Sequence, residues 1–325
     1  MTPGARWQAV PAALRGALWM FVAAMAFAAM SALIRRASEE LHPFQIGFFR
    51  CLFGTLLMAP YVLRSGLSRV RTQRFGLHAL RAMGTIASIL TYFLALSLMP
   101  IATAAALSFT APLFATMGAG LVLGEKVGPR RWAAVIVGLT GTWIVIRPGV
   151  EAVSLPALLV LVSSCFVALE ILVTKKLSAT EPPQTVVLYM GLLSTPALLV
   201  PALLEWTEPS WAAIGWAVGV ATAGTIGHLA VVRSFRLADA TAVMPIEFSK
   251  LIFVAIFGFA FFDQVPDVWT WIGGAVIFGA GLYTAHRESV RRGQARGRAD
   301  PPPPSPGPEA RTDQPRSRTG ATPSI

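Results

Sequence analysis

Between Arg81 and Glu125 the chain runs without a single charged side chain. That stretch is about twice the ~20 apolar residues that carry a helix across ~30 Å of hydrocarbon, so it has to fold back on itself, and Met99-Pro100 marks the turn. Apolar blocks of spanning size recur along the chain, opening near Ala17, Phe44, Leu80, Ile101, Trp132, Leu155, Thr185, Trp211, Ala240 and Val268. With 54% hydrophobic and only 13% charged residues, against about a quarter charged in soluble domains, a water-exposed surface cannot be built. The expected fold is an all-α integral membrane protein of ten transmembrane helices. The fifth block, with 15 uncharged residues between Arg131 and Arg147, crosses if both ends snorkel.

The formal charge of +11 points to a membrane face and not to nucleic acid. Threading ten spans from a cytoplasmic N-terminus puts nineteen Lys/Arg on the inner side and leaves Arg35, Arg36 and Arg147 outside. That asymmetry sets both termini in the cytoplasm. Trp206, Trp211, Trp269 and Trp271 flank two outer loops, at headgroup level. Residues 1–15 form an N-terminal tail, and the basic, proline-rich stretch 287–325 has too little apolar material to bury and is read as a disordered cytoplasmic tail. Cys51 and Cys165 both fall inside apolar blocks, which argues against a disulfide framework or a zinc site.

A weak internal repeat organises the blocks. Arg35-Arg36-Ala37-Ser38 aligns with Lys175-Lys176-Leu177-Ser178, Pro43 with Pro183, Ala102-Thr103-Ala104 with Ala240-Thr241-Ala242, and Glu125 with Asp263. The shift corresponds to five spans. Because five is odd, the second half (155–286) enters the membrane opposite to the first (16–148), an inverted five-helix repeat of the kind found in secondary transporters.

At this point the stretch LRAMGTIASILTYFLALSLMPIATAAALSFTAPLFATMGAGLVLGEKVGPRRWAAVIVGLTGTWIVIRPG resembles the first repeat of EamA-type carriers of the drug/metabolite transporter superfamily. HPFQIGFFR and RLADATAVMPIEFSKLIFVAIFGFAFFDQVPD extend the likeness. Within the superfamily the first half is most similar to bacterial S-adenosylmethionine uptake and riboflavin carriers. The resemblance implies a central cavity between two inverted repeats, alternating access, and a small-molecule solute. Where compared carriers tend to have a basic or aromatic residue after the ninth-helix proline, this chain has Ile246-Glu247.

Ionisable residues inside a span cost at least about 2.5 kcal/mol on insertion scales and so face a cavity or a partner. Arg50, seven residues into the second block, offers a planar fork for a carboxylate, phosphate or ring carbonyl. Glu247 and Lys250 share one helix face, as a self-neutralising pair or as a proton acceptor beside an anion anchor. Glu170 either snorkels or meets a cationic solute or Arg50. His228 is a coupling candidate beside Glu247, or a helix-to-helix hydrogen-bonding residue. Tyr92, Phe109 and Phe248, with Phe48, Phe49 and Phe114, are candidates for stacking on a planar solute or for packing. Arg81, Arg233 and Arg236 are assigned to the cytoplasmic boundary, where orientation and lipid contact account for them.

No GxSxG, P-loop, HExxH or CxxC occurs, so neither an enzyme nor ATP-driven transport is expected, and no cofactor or metal. The sequence therefore points to a secondary carrier of a small polar metabolite, working as a monomer or homodimer in the lipid bilayer. An amino-acid or metabolite exporter and a non-transporting sensor or scaffold are the alternatives. An intramembrane enzyme would need Glu170, Glu247 and His228 to converge.

Overall fold

The computed structural model describes residues 11–66, 71–111, 113–115, 117, 129–146, 154–238, 243, 246, 247, 249–280 and 283. The expectations for the two tails fall almost wholly outside these residues, as does Phe248. The described chain is all helical: α1 Ala12–Ala37, α2 Pro43–Leu57, α3 Ala59–Ser65, α4 Phe75–Leu98, α5 Ile101–Ser108, α6 Pro129–Ile146, α7 Leu155–Ser178, α8 Pro183–Leu204, α9 Trp211–Leu237, α10 Ser249–Phe262 and α11 Val268–Ala280. Helices α2 and α3 form one span, Pro43–Ser65, so the described residues contain six long apolar spans and four shorter apolar helices.

Local chemistry sets the ends. Proline stands in the first turn of α2, α7 and α8, where its missing N–H has no intrahelical partner to lose. Ser210 caps α9 by accepting from the Ala213 N–H at 3.1 Å. Met58 makes the joint between α2 and α3, just ahead of Pro60. The third span begins at Phe75 and not at Leu80 as expected, because Arg81, used as a boundary marker, lies inside the helix and is 1% exposed.

Large apolar side chains such as Leu63, Leu204, Trp211 and Phe261 point outward, as a lipid-facing surface requires. The interior is built from small residues, among them Ala28, Ala95, Ala104, Ala105 and Ala106, which let helix backbones approach closely in a medium that supplies little hydrophobic driving force.

The packing is twofold and interleaved. Helix α1 packs most extensively on α9, and its repeat counterpart α7 packs most extensively on α4. The same correspondence relates α2–α9 to α8–α4, and α1–α10 to α7–α5, while α2–α8 and α5–α10 map onto themselves. Each repeat thus buries its first helix against the third helix of the other. Two hydroxyl–carboxylate clasps repeat the relation at opposite ends. Ser210 Oγ donates to Glu40 Oε2 beyond the C-terminus of α1, and Thr72 Oγ1 donates to Glu181 Oε1 beyond the C-terminus of α7 at 2.7 Å.

The end holding the start of α1 and the finish of α9 is called the near end; the other is the far end. The far end is laced together. Arg35 Nη1 donates to the Leu96 and Ser97 carbonyls at the finish of α4. Gln45 Nε2 donates to Thr207 O at 2.7 Å, and the Ile101 N–H donates to Gln264 Oε1 at 3.2 Å. Phe48 and Phe49 pack against Trp206. Neither phenylalanine is among the residues lining the cavity described below.

Candidate functional site

Between the interleaved sets lies a cavity of about 190 Å³, displaced toward the near end. Its wall includes Arg50, Tyr92, Phe109, Glu170, His228, Glu247 and Lys250, drawn from both halves of the chain, and also Arg81, Thr85 and Ser88.

One corner is basic. Arg50, on α2 and 5% exposed, is held against α9: its Nη2 lies 2.7 Å from His228 Nε2, and its Nη1 lies 3.6 Å from Cys51 Sγ. Arg81, on α4, donates through Nε to Thr174 Oγ1 at 2.7 Å and through Nη1 to the Val186 carbonyl at 3.2 Å, which fixes it to α7 and α8. Its Nη2 is 3.4 Å from His228 Nδ1. A guanidinium only donates, and a neutral imidazole has one bare nitrogen. If Arg50 donates to Nε2, the imidazole proton sits on Nδ1 and faces Arg81 donor to donor, in keeping with the longer distance. Phe27 stands edge-on to the imidazole, with centroids 5.1 Å apart. Gly224 makes room for the arrangement: a Cβ there would lie 3.2 Å from Arg50 Nε and 3.0 Å from Met30 Sδ.

The other corner is acidic. Glu170, on α7, accepts from Thr85 Oγ1 and Ser88 Oγ of α4, each at 2.7 Å, and Ser163 Oγ donates to the Ser88 carbonyl at 3.2 Å. Charge-assisted bonds of this kind are about twice as strong as neutral ones. Glu170 therefore neither snorkels nor pairs with Arg50; both its oxygens are held by hydroxyls. Gly84 plays the part of Gly224, since a Cβ there would lie 3.1 Å from Glu170 Cγ.

Lys250 sits over the Tyr92 ring, with Nζ 5.8 Å from the centroid, a cation–π contact. Glu247 and Lys250 act on each other electrostatically without closing to an ion pair inside 4.0 Å; among the described residues the pair within that distance is Arg36–Glu39 at the far end. The Tyr92 hydroxyl is buried without a hydrogen-bond partner among the described residues.

Arg81 is the main correction to the sequence reading. Assigned to the membrane boundary, it is buried in the cavity wall, because its partners Thr174, Val186 and His228 are all distant in sequence. A signal for the wall was present: Gly84-Thr85-Ile86-Ala87-Ser88 and Gly224-Thr225-Ile226-Gly227-His228 are the same motif in the third helix of each half. Both segments line the two corners just described.

The fold and the site define a polytopic membrane protein with a charged internal cavity between two repeats. The chain belongs to the EamA-like transporter family, which matches it twice, over residues 14–147 and 154–284. It is 34% identical to a riboflavin transporter of Vibrio cholerae, over 81% of this chain and 90% of that one. It is 24% identical to an S-adenosylmethionine uptake transporter of Rickettsia prowazekii, over 85% and 94%. A crystal structure of a protein with 17% identity superposes with a TM-score of 0.62, covering 85% of this chain and 98% of the other. The relatives are transporters and not enzymes, in line with a cavity in which the Glu170 oxygens are held by hydroxyls and both His228 nitrogens face arginines.

Proposed function

We propose that this metabolite transporter is a secondary carrier that moves a small polar organic solute across a bacterial inner membrane by alternating access, a riboflavin-like or S-adenosylmethionine-like molecule being favoured. The observation that carries the reading is the cavity itself, walled by both repeats and containing ionisable groups of both signs. Buried charge in a membrane span is expensive and is kept where it faces a functional cavity.

In this reading Arg50, Glu170, Glu247, Lys250, Tyr92 and Phe109 meet the solute, together with Phe248. Both termini lie in the cytoplasm, so the near end is the cytoplasmic end and the laced far end is the closed outer gate. The moving bodies are the interleaved sets, α1 with α9 and α10 against α7 with α4 and α5, rocking about the cavity. Glu247 is the coupling residue. His228 serves as a post for Arg50, since a proton there would set a third positive charge between two guanidinium groups.

Counterflow in proteoliposomes loaded with riboflavin or with S-adenosylmethionine tests the proposal. The expected result is saturable flux of one of the two, reduced at least about tenfold in Arg50→Ala, with an unchanged gel-filtration profile. Normal flux in that variant removes Arg50 from the site. Binding without flux in the parent chain turns the reading toward a sensor or scaffold.

A further inference from the structure

The basic corner contains more positive charge than its surroundings answer. Arg50 and Arg81 are 5% and 1% exposed, yet neither has a carboxylate within ion-pairing distance among the described residues. Their hydrogen-bond partners are neutral: a thiol, an imidazole, a hydroxyl and a carbonyl. Removing the partner of a buried charge is strongly destabilising, so two buried guanidinium groups with no direct ion pair form a site that an anion would complete. Glu170, one helical turn from Thr174, acts on Arg81 through space without a direct ion pair, its two oxygens being turned to Thr85 and Ser88, and one carboxylate leaves two guanidinium groups with an excess positive charge. The described charged groups of the wall, three cations (Arg50, Arg81, Lys250) and two carboxylates (Glu170, Glu247), leave the cavity positive.

Geometry directs the same charge to one point. The Nη2 atoms of Arg50 and Arg81 lie 2.7 and 3.4 Å from the two nitrogens of a single imidazole. His228 satisfies one guanidinium and opposes the other. An oxyanion has acceptor oxygens on every side and no proton to oppose either, and the guanidinium fork matches it in a bidentate fashion. The two arginines also belong to different bodies: Arg50 is tied to α9 through His228, whereas Arg81 is tied to α7 and α8 through Thr174 and Val186.

We propose, on the basis of the carrier reading above, that the solute bears an oxyanion, carboxylate or phosphate, that docks between Arg50 and Arg81 and bridges the two interleaved helix sets. The bridge takes the place of the Arg81–His228 contact, and a solute without an oxyanion leaves that seam unjoined, so of the two classes favoured above this inference selects the carboxylate-bearing, S-adenosylmethionine-like one over riboflavin, which has no oxyanion.

The test uses the purified full-length protein in detergent, with thermal unfolding followed in sodium acetate, in sodium phosphate, and in sodium chloride at matched ionic strength. A ligand that binds the folded state raises the unfolding midpoint in a saturable way. The expected result is a saturable rise of the parent midpoint with acetate or phosphate beyond that in chloride, and no such rise in Arg50→Gln or Arg81→Gln. In Arg50→Lys, which keeps the charge and loses the fork, half-saturation moves up about tenfold. Arg50→Lys carries the test if the glutamine variants do not fold. The acetate and phosphate arms tell which oxyanion the corner takes. Equal rises in parent and variants, a rise matched by chloride, or no rise overturns the proposal. Flux in proteoliposomes without anion stabilisation leaves the carrier reading standing and removes the subsite; stabilisation without flux of either solute does the reverse.

Discussion

The segments Gly84–Ser88 and Gly224–His228 occupy equivalent places in the two repeats and do opposite jobs. On α4, Thr85 and Ser88 grip a carboxylate carried by α7. On α9, the residue matching Ser88 is His228, which grips a guanidinium carried by α2. The glycine that opens each segment abuts the charged group of its own corner, Glu170 at Gly84 and Arg50 at Gly224. The twofold scaffold fixes where polar groups enter the cavity. Which sign enters is decided by one or two side chains that break the symmetry.

This comparison can be broken at both corners. The largest effect is expected from Glu170→Gln, which keeps the shape but removes the charge that Thr85 and Ser88 hold. Hydrogen bonds to charged groups contribute about 1.5–3 kcal/mol, so counterflow should fall by about tenfold or more; flux within twofold of the parent would make the acidic corner a packing detail. Next comes the paired test of Thr85→Val against Thr225→Val. The first strands a buried carboxylate oxygen and should lower the stability of the detergent-solubilised protein by about 1–3 kcal/mol. No hydrogen bond joins Thr225 to a carboxylate among the described residues, so its loss should be smaller, and equal losses in thermal unfolding would erase the difference between the corners. The smallest effects belong to the two clasps. Glu40→Gln and Glu181→Gln should each shift stability by no more than about 1 kcal/mol, and a larger loss at one end would show that the ends are not equivalent.

How far the sequence could be read follows the range of the interactions involved. Spans, turns and the repeat arise from local hydropathy, proline and charge, and these place α1, α2, α5, α7, α8 and α9 close to where they are found. Arg50 was legible because it stands well inside an apolar block. Arg81 was not, because a charge near a block edge looks the same whether it meets water or is buried by partners 93 and 147 residues away. Thr85 and Ser88 were hidden for another reason. Hydroxyls are common in membrane helices and usually bond back to their own turn, as Thr91 does with the Ala87 carbonyl; only the structure separates a hydroxyl that serves its own helix from one that serves Glu170.

The interleaving of the repeats also has a consequence for how the protein is made. The chain leaves the ribosome from its N-terminus, so α1 and α4 enter the bilayer before α7 and α9, the helices against which they pack most extensively, have been synthesised. During that interval Arg50 and Arg81 have neither His228 nor Thr174 to hold them, and the early helices carry unpartnered charge toward lipid. A first half expressed alone would be inserted but not assembled, waiting for its complement. Co-expression of the two halves as separate polypeptides should restore a stable particle that neither half forms by itself, which makes the second repeat a scaffold for the first at the moment of birth.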